Sequence, residues 1–419
     1  MGNCSVLPGA VVEQGAAICA REPEPKPLKA ALLTGGFDKP YASGLTLALA
    51  ARNVHLDIIG SDAVDGPAMH SAPHLNFLNL RGSKEEAGLA AKVRRVLHYY
   101  MRLLGYVSAA EPKIFHILWN DKLEYFDRTI LALYYRMLGK KVVRTAHNVN
   151  AGRRDGNDSW LNRLTLRAQY RLAHHIFVHS VKMKQELIGD FGLAERRVTV
   201  VPFGINNDVP HTALSTGEAK RKLGLGNGEK TILFFGAIRP YKGLEHLVEA
   251  FRQLAEKHPE YRLLIAGSTR KGSEEYWERL ERTIAAQIPP GRVIRKIEFI
   301  PDQDTELYFK AADVLALPYT QVSQSGVLFL AYSFGLPVVA TDVGSLQDDI
   351  VEGRNGFLCR PNDPGDLAGA FEQYFQSGLF QNLDSRREEI REQATRRHSW
   401  ETVGAVTRKV YDALIARLS

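Results

Sequence analysis

Two cations stand three residues apart in the segment GAIRPYKG (236–243), directly after an apolar run that predicts a strand. Arg239 and Lys242 fall in the turn from that strand to a helix, and Gly243 opens the helix. Two cations and the free N–H groups of a helix start are what a diphosphate requires. The alternative is a solvated loop that ends in a turn glycine.

A second polar cluster precedes the apolar segment VLFLAYSF (327–334). Hydroxyls, an amide and a small residue at the start of a helix can hold phosphate oxygens, and each such contact is worth about 0.3–2 kcal/mol. The alternative is simple capping of the helix by serine. The residues predicted to bind phosphate here are Ser323, Gln324, Ser325, Gly326 and Val327.

Two segments of the first half of the chain also carry candidate residues. The glycines of TGGFDKPYASG (34–44), Gly35 and Gly36, let backbone N–H groups approach a ligand closely after the first strand. TAHNVN (145–150) ends a buried strand, so that His147 is expected to point into a cleft, with a structural histidine as the alternative. We place Asn148, Asn150 and Arg153, which follow it, on the acceptor side.

The elements that position these residues alternate between short apolar runs and helical segments. The alternation runs through the first half of the chain, is interrupted by a polar stretch at 207–229, and then restarts. Such a pattern predicts two doubly wound parallel sheets, with ligands at the carboxyl ends of the strands. The boundaries that we predict are a flexible tail 1–27, a first domain 28–207 and a second domain 208–399, with a last helix 400–419 packing back on the first domain.

Taken together, these motifs over residues 28–419 resemble those of the family 4 glycosyltransferases. The resemblance rests on the glycine loop, the histidine at the end of a middle strand, VVPFGIN (200–206), G-x-I-R-x-x-K-G (236–243) and GLPVVATDVG (335–344). It implies the α/β GT-B fold, in which two Rossmann-like domains face a central cleft. It also implies catalytic roles for Arg239 and Lys242 on the donor diphosphate.

The same resemblance implies further contacts and the course of the reaction. Gly35, Gly36 and His147 would contact the donor phosphate and sugar, Asn206 would lie near the donor, and transfer would retain the anomeric configuration. One departure stands out, because the family's pair of glutamates would fall near Val322 and Leu330. We expect Gln-Ser-Gly to supply diphosphate contacts instead. Two more donor-side candidates are Glu298 and Ile300, although Glu298 is equally expected to pair with a neighbouring Arg or Lys.

The function that follows is transfer of a sugar from a UDP- or GDP-linked donor to a glycan or lipid-linked acceptor, with no cofactor and no metal. Two alternatives stay open: a sugar-nucleotide epimerase of the same fold, and a non-catalytic partner that has lost turnover. His175 and His179 lie on one face of a strand, but no Cys or carboxylate stands at ligand spacing, so packed strand histidines are expected.

Charge is unevenly spread in this 419-residue chain of net charge +7. Residues 1–205 carry 27 Lys and Arg against 18 Asp and Glu, whereas the rest carries 27 against 29. An anionic partner of the first half is therefore expected, and without a recognition module we exclude nucleic acid. The segment 89–107 has the pattern of a basic amphipathic helix for a membrane surface, or of a helix whose apolar stripe faces the core. Three cysteines and no signal sequence predict a cytoplasmic protein, with the inner face of a membrane as a peripheral site.

Overall fold

The computed structural model describes residues 27–36, 38–82, 88–205 and 209–416. All but the last residue of the predicted tail, and the candidate Asn206, lie outside these ranges. The described residues form two parallel β-sheets, one in each half of the chain, with helices on their faces.

The first sheet has seven strands in the order β3-β2-β1-β4-β5-β6-β7. Every pair in it is parallel, from Leu28 beside Val54 to Val178 beside Val200. Its strands are β1 Leu28–Leu33, β2 Val54–Gly60, β3 Leu75–Asn79, β4 Ile114–Ile117, β5 Lys141–Thr145, β6 His175–Val178 and β7 Val198–Val200. Its helices are α1 Lys39–Ala50, α2 Leu89–Ala109, α3 Glu124–Phe126, α4 Ala132–Met137, α5 Ala151–Arg154, α6 Trp160–Leu172 and α7 Val181–Phe191, with a π-helical turn Asp127–Leu131 joining α3 to α4.

The second sheet has six parallel strands in the order β10-β9-β8-β11-β12-β13. Its strands are β8 Lys230–Phe235, β9 Tyr261–Ala266, β10 Val293–Lys296, β11 Val314–Leu317, β12 Val338–Thr341 and β13 Gly356–Cys359. Its helices are α8 Thr216–Lys222, α9 Leu244–Lys257, α10 Glu274–Gln287, α11 Asp302–Ala311, α12 Gly326–Ser333, α13 Pro364–Gln376, α14 Gly378–Gln381 and α15 Leu383–Arg397. The last helix, α16, is Trp400–Ala416.

Burial explains why the strand runs are almost wholly apolar. Every residue of β11 and of β12 is buried, because helices cover both faces of a parallel sheet. The predicted fold class, two doubly wound Rossmann-like domains, is confirmed by this topology. In such sheets the carboxyl ends of the strands and the helix starts that follow them are where ligands bind.

Helix α16 leaves the second sheet and packs against α1 of the first domain. Trp400 begins it, and the indole Nε1 donates a hydrogen bond to the Ile205 carbonyl at 2.8 Å. The indole ring is wedged between two glycines, since a Cβ built on Gly44 or on Gly204 would lie within about 2.3 Å of it. The end of the chain is thereby fixed to the segment that joins the two domains.

The outer face of α2 is more apolar than a solvated helix requires. Tyr99, Tyr100, Leu103 and Val107 are buried against the sheet, but Leu89, Val93, Leu97 and Met101 are exposed, Leu89 by 79%. The apolar residues of the helical pattern therefore lie on two faces of α2: Leu89, Val93 and Leu97 face outward, whereas Tyr100 faces the core. Among the described residues no helix is both long and apolar enough to cross a bilayer.

A substitution tests the wedge between Trp400 and α1. Gly44→Ala should lower the free energy of unfolding by about 1–3 kcal/mol, because the new methyl group would overlap the indole. The matched control is Gly105→Ala in α2, where no atom lies within 4 Å of the added Cβ. That change should raise stability by up to about 1 kcal/mol through helix propensity alone. Chemical denaturation measures both, and equal effects would contradict the wedge.

Candidate active site in the cleft

The turn that carries Arg239 and Lys242 is held in one conformation by its glycine. β8 ends at Phe235, the tight turn Pro240–Lys242 follows, and α9 begins at Leu244. Gly243 has φ +64°, and a Cβ there would lie 2.0 Å from the Pro318 carbonyl oxygen. A side chain at this position would therefore displace the turn and the lysine that precedes it.

Lys242 is a buried ammonium without a carboxylate. Only 7% of the residue is exposed, and its Nζ lies 5.9 Å from the ring centre of Phe234 and 5.6 Å from that of Tyr319. Within the described ranges no Asp or Glu comes within ion-pair distance of it. Burial, followed by the charges of Arg239, Arg270 and Arg154, lowers the pKa of Lys242 to about 8. Such an arrangement favours an anion from outside the protein.

The first domain supplies Arg154 to the same cluster of cations. Its guanidinium lies 4.5 Å from the ring centre of Tyr241, inside the Arg239–Lys242 turn. Arg154 also donates from two nitrogens to the Asp155 carboxylate, at 2.7 and 2.9 Å, and Arg239 lies 3.9 Å from that carboxylate. The sequence offered only the run Arg153-Arg154-Asp155 as a signal, and we assigned Arg153 to the site and missed Arg154. Arg270, after β9, was missed because nothing in its segment marks it.

The start of α12 lies beside the ammonium of Lys242. A Cβ built on Gly236 would be 3.0 Å from Lys242 Nζ and 3.7 Å from Val327 Cγ2, so both flank one small space. Ser325 is buried, its Oγ lies 3.3 Å from Tyr319 Oη, and it makes no capping bond to α12. The structure therefore brings Lys242 together with the start of an apolar helix that has no side-chain cap among the described residues.

Ser323 and Gln324 are engaged by the protein itself. The Gln324 side chain donates to Asp349 Oδ2 at 3.2 Å and accepts from Ser345 Oγ at 3.0 Å. The Ser323 carbonyl accepts from the backbone N–H and the hydroxyl of Ser345. These bonds fix the loop before α12 through the backbone of Ser323 and the side chain of Gln324. The contact of either side chain with a ligand stays a prediction.

His147 is surrounded by aromatic rings at the carboxyl edge of the first sheet. Its ring stacks on Trp119 with centroids 4.1 Å apart and meets the edge of Tyr41 at 4.6 Å. Its Nδ1 lies 3.1 Å from His179 Nε2, and its Nε2 is buried with no partner among the described residues. Burial holds the pKa of His147 well below its usual value, so the ring is neutral.

The bonds of His179 decide which nitrogen of His147 carries the proton. His179 Nδ1 lies 3.3 Å from the Val201 carbonyl, which can only accept, so Nδ1 is protonated. His179 is neutral as well, since burial lowers its pKa to about 4, and its Nε2 must accept from His147 Nδ1–H. His147 Nε2 then presents a lone pair, which suits the hydroxyl of a ligand. The expected strand histidine His175 instead bonds Thr199 Oγ1 at 2.9 Å.

Gly35 and Gly36 are required by packing inside the first domain. A Cβ on Gly35 would lie 2.7 Å from Trp119 Cβ. A Cβ on Gly36 would clash with the Arg81 side chain and with Ser61 Oγ. Arg81 also donates to the Gly35 carbonyl. Their contact with a donor stays a prediction.

An interdomain cavity of about 500 Å³ contains two of the acceptor-side candidates. Asn150 and Arg153 line it together with the segments 320–323 and 342–344 of the second domain, and Lys182 Nζ crosses it to the Gly344 carbonyl at 3.1 Å. The Asn150 side chain is already bonded to Arg153 N, Asn162 and Asp158. Asn148 borders a different cavity in the first domain.

The remaining donor-side candidates lie at the edge strand of the second sheet. Glu298 pairs with Lys296 at 2.9 Å and is more than half exposed, as the alternative expected. Ile300 is buried in the core of its own domain. In the ranges that the structure covers, no group of three His, Cys, Asp or Glu residues is placed to hold a metal ion.

Two family models match successive parts of the chain. Glycosyltransferase Family 4 matches residues 41–209, and Glycosyl transferases group 1 matches residues 215–397. Together they cover every strand of the two sheets except β1, and helix α16 also lies outside them.

Among similar curated proteins is the D-inositol 3-phosphate glycosyltransferase of Corynebacterium urealyticum, 32% identical over 52% of this chain and 51% of that one. The protein of the same name from Corynebacterium aurimucosum is 27% identical over 75% and 71%. The chain thus spans about half the length of several of these relatives.

Solved structures share the fold at low identity. Sucrose-phosphate synthase from Thermosynechococcus elongatus superposes with a TM-score of 0.74 at 19% identity, over 93% of this chain and all of that one. Anabaena Alr3699/HepE in complex with UDP-glucose gives 0.70 at 17% identity, over 92% of this chain and all of that one.

Removing the buried charge of Lys242 should stabilise the ligand-free protein. Because its folded pKa lies below the unfolded value of 10.5, the unfolded state binds more protons between pH 8 and 10.5. We expect Lys242→Met to raise the free energy of unfolding at pH 7 by about 1–3 kcal/mol. The gain should shrink as the pH rises through that window.

Urea titrations at pH 7 and at pH 10 measure this difference. The control is Lys257→Met at the exposed end of α9, which should change stability by less than about 0.5 kcal/mol at either pH. A loss of stability in Lys242→Met would show that the ammonium is compensated in the folded protein.

Proposed function

Because its two halves belong to the two glycosyltransferase families just named, we propose that the chain transfers a sugar from a nucleoside diphosphate donor, UDP- or GDP-linked, to a glycan or lipid-linked acceptor. The single observation that carries the proposal is the buried ammonium of Lys242, unpaired beside the start of α12. A diphosphate would supply the missing negative charge at the place where both domains contribute cations.

The chemical step exchanges one bond at the anomeric carbon for another. The bond from C1 to the diphosphate oxygen breaks, and an acceptor hydroxyl oxygen bonds C1. The hydroxyl proton passes to the departing phosphate, and the family resemblance implies attack from the same face with retention. We infer that His147 orients the donor sugar, which requires that its Nε2, closed to solvent in the free protein, is uncovered when the donor binds.

Stabilisation of the leaving group is electrostatic. Arg239, Lys242 and the amides at the start of α12 face the departing diphosphate, and Arg154 adds a further positive charge. Preorganised donors of this kind are typically worth a factor of about 10²–10³ in rate each. These groups can neutralise the leaving group without a metal ion, which is the basis for proposing metal-independent transfer.

The two alternatives from the sequence are less favoured. Both family models that match are glycosyltransferase models. An epimerase also needs an acid–base pair at the sugar, whereas His147 and His179 lie within hydrogen-bond distance of each other. Incubation with the donor alone separates these activities, because only an epimerase would convert the sugar without an acceptor.

An outward apolar and basic face of the first domain supports an acceptor at a membrane. The exposed residues of α2 continue onto the neighbouring helices, where Ile130, Leu133, Met137, Trp160, Leu161 and Leu164 are also exposed. The π-helical turn Asp127–Leu131 lies between α2 and α6, since Tyr100 of α2 donates to Asp127 and Arg128 donates to Asn162 of α6. Exposed cations on the same helices, among them Lys92, Arg94 and Arg136, suit anionic lipid headgroups.

Nucleotide binding tests the cation cluster. The variant Arg239→Ala/Lys242→Ala should lose at least 100-fold in affinity for the diphosphate of the donor, because two charge-assisted contacts disappear. Calorimetry with UDP, GDP and their sugars measures the loss, and Lys257→Ala on α9 is the control. Absence of transfer by the wild type across the donor panel, or full activity of the double variant, would contradict the proposal.

The pH dependence of binding isolates Lys242. Since its pKa is about 8 in the free protein, binding above pH 8 must take up a proton, and affinity should fall by up to about tenfold per pH unit. Lys242→Arg keeps its charge, so its affinity should not vary over pH 7.5–9.5. Parallel titration curves for the two proteins would remove Lys242 from the site.

Vesicle binding tests the outward face. Leu97→Glu/Met101→Glu should reduce flotation with phosphatidylglycerol vesicles at least tenfold, because two apolar side chains no longer enter the interface. Phe299→Glu, an equally exposed apolar residue of the second domain, is the control and should leave binding unchanged. Equal flotation of all three proteins would count against this surface.

A further inference from the structure

A second cavity, of about 170 Å³, lies wholly within the first domain at the carboxyl edge of its sheet. Its walls come from the residues just after β4, the end of β5 and one side of α6. The polar side chains among them include Asn120, Arg128, Arg144, His147 and Gln169. A space of this size holds several waters or one small oxyanion.

Arg144 lines this cavity with its charge uncompensated. The residue is 5% exposed, and its guanidinium donates to Asn120 Oδ1 and to Gln169 Oε1, both neutral amide oxygens. No carboxylate of the described chain lies within ion-pair distance of it. The carboxylate that acts on it from farther away, Asp127, is already bonded to Tyr100 Oη and to the Asp121 N–H.

Arg128 brings a second buried cation to the same cavity. It pairs with Glu124 and donates to Asn162 Oδ1 at 2.8 Å, while its Nε is buried without an acceptor among the described residues. Glu124 is thus the one carboxylate among the lining residues, beside two guanidinium groups. A buried guanidinium that faces neutral amides is costly unless an anion completes it.

We propose that this cavity binds an oxyanion, a phosphate or a carboxylate group carried by the acceptor. The guanidinium of Arg144 uses both hydrogens of Nη2 and one of Nη1 on Asn120 and Gln169, so its remaining N–H groups are those that would donate to either kind of oxyanion. The assignment to the acceptor rests on the proposed function. His147 and Asn148 border the cavity, so an acceptor anchored here extends toward the sugar that His147 orients.

The sharpest variant supplies the missing counterion from within the protein. Gln169 Oε1 receives hydrogen bonds from Arg144 and from Asn120 Nδ2, so Gln169→Glu keeps both and adds a negative charge. It should fold at least as stably as the parent and exclude an external anion. Arg144→Gln is the second variant, which removes the cation instead. Arg197→Gln is the control, because Arg197 is a partly buried arginine of this domain that donates only to backbone carbonyls.

Calorimetry with inorganic phosphate and, separately, with acetate measures binding at constant ionic strength. The parent for these titrations is Arg239→Ala/Lys242→Ala, so that the diphosphate cluster takes up no phosphate. We expect one anion per chain, with the affinity reduced at least tenfold by Gln169→Glu and by Arg144→Gln and unchanged by Arg197→Gln. The tighter of the two anions identifies the acceptor group.

Two outcomes would overturn the proposal: no binding of either anion by the parent, or binding that survives both cavity variants. Nucleotide binding by the otherwise wild-type chain carrying Gln169→Glu is measured beside it. If the wild type binds the nucleotide but the parent binds neither anion, only the cavity proposal has failed; if the nucleotide fails to bind even to wild type, the proposed function has failed independently.

Discussion

A positive charge kept from water, with no carboxylate of the described residues paired to it, is the constraint around which the cleft is built. An Asp or Glu beside Lys242 would relieve this cost, yet Asp155, a carboxylate of this region, is bonded to Arg154 and lies 3.9 Å from Arg239. Gly243 can only hold the turn against the Pro318 carbonyl because it has no Cβ. The position of the turn, and of the lysine that precedes Gly243, is thus set by backbone packing.

The two domains meet at this cluster and at an apolar contact behind it. Phe203, just before the interdomain segment, stacks on Phe329 of α12 with centroids 5.1 Å apart. Trp400 then returns the chain to Ile205 and to Gly44 of α1. Because α12 takes part in the apolar contact and also begins beside Lys242, any rotation of one domain against the other changes the distance between the helix start and the cations of the first domain. Helix α12 thus belongs both to the contact between the domains and to the surroundings of Lys242.

Much of this was predictable from the sequence, and the reasons are local. The strands were found because buried parallel strands are continuous apolar runs, and Arg239 and Lys242 because they follow one of them within a single turn. Arg154 and Arg270 were not found, since their approach to Lys242 depends on how distant loops fold together. Gln324 was assigned to a ligand because the sequence cannot show that its side chain bonds Ser345 and Asp349, while the contact of the Ser323 hydroxyl with a ligand stays a prediction. Which apolar residues of α2 face outward could not be predicted, because the exposed and the buried residues together form one continuous helical pattern in the sequence.

The two positions where the family has its glutamate pair, near Val322 and Leu330, bear on how a donor would be held. Leu330 is in α12 and packs against the core of the second domain, while Val322 is buried, so neither position offers a hydrogen bond from its side chain. The nearby polar group is instead Gln324, held by Asp349, whose pKa burial raises to about 6 and which lies 3.3 Å from Arg397. An amide fixed in this way orients the loop before α12 and leaves its backbone N–H groups for the ligand. A site that relies on backbone amides and cations tolerates the loss of side-chain carboxylates, because the strongest charge to be matched is that of the diphosphate.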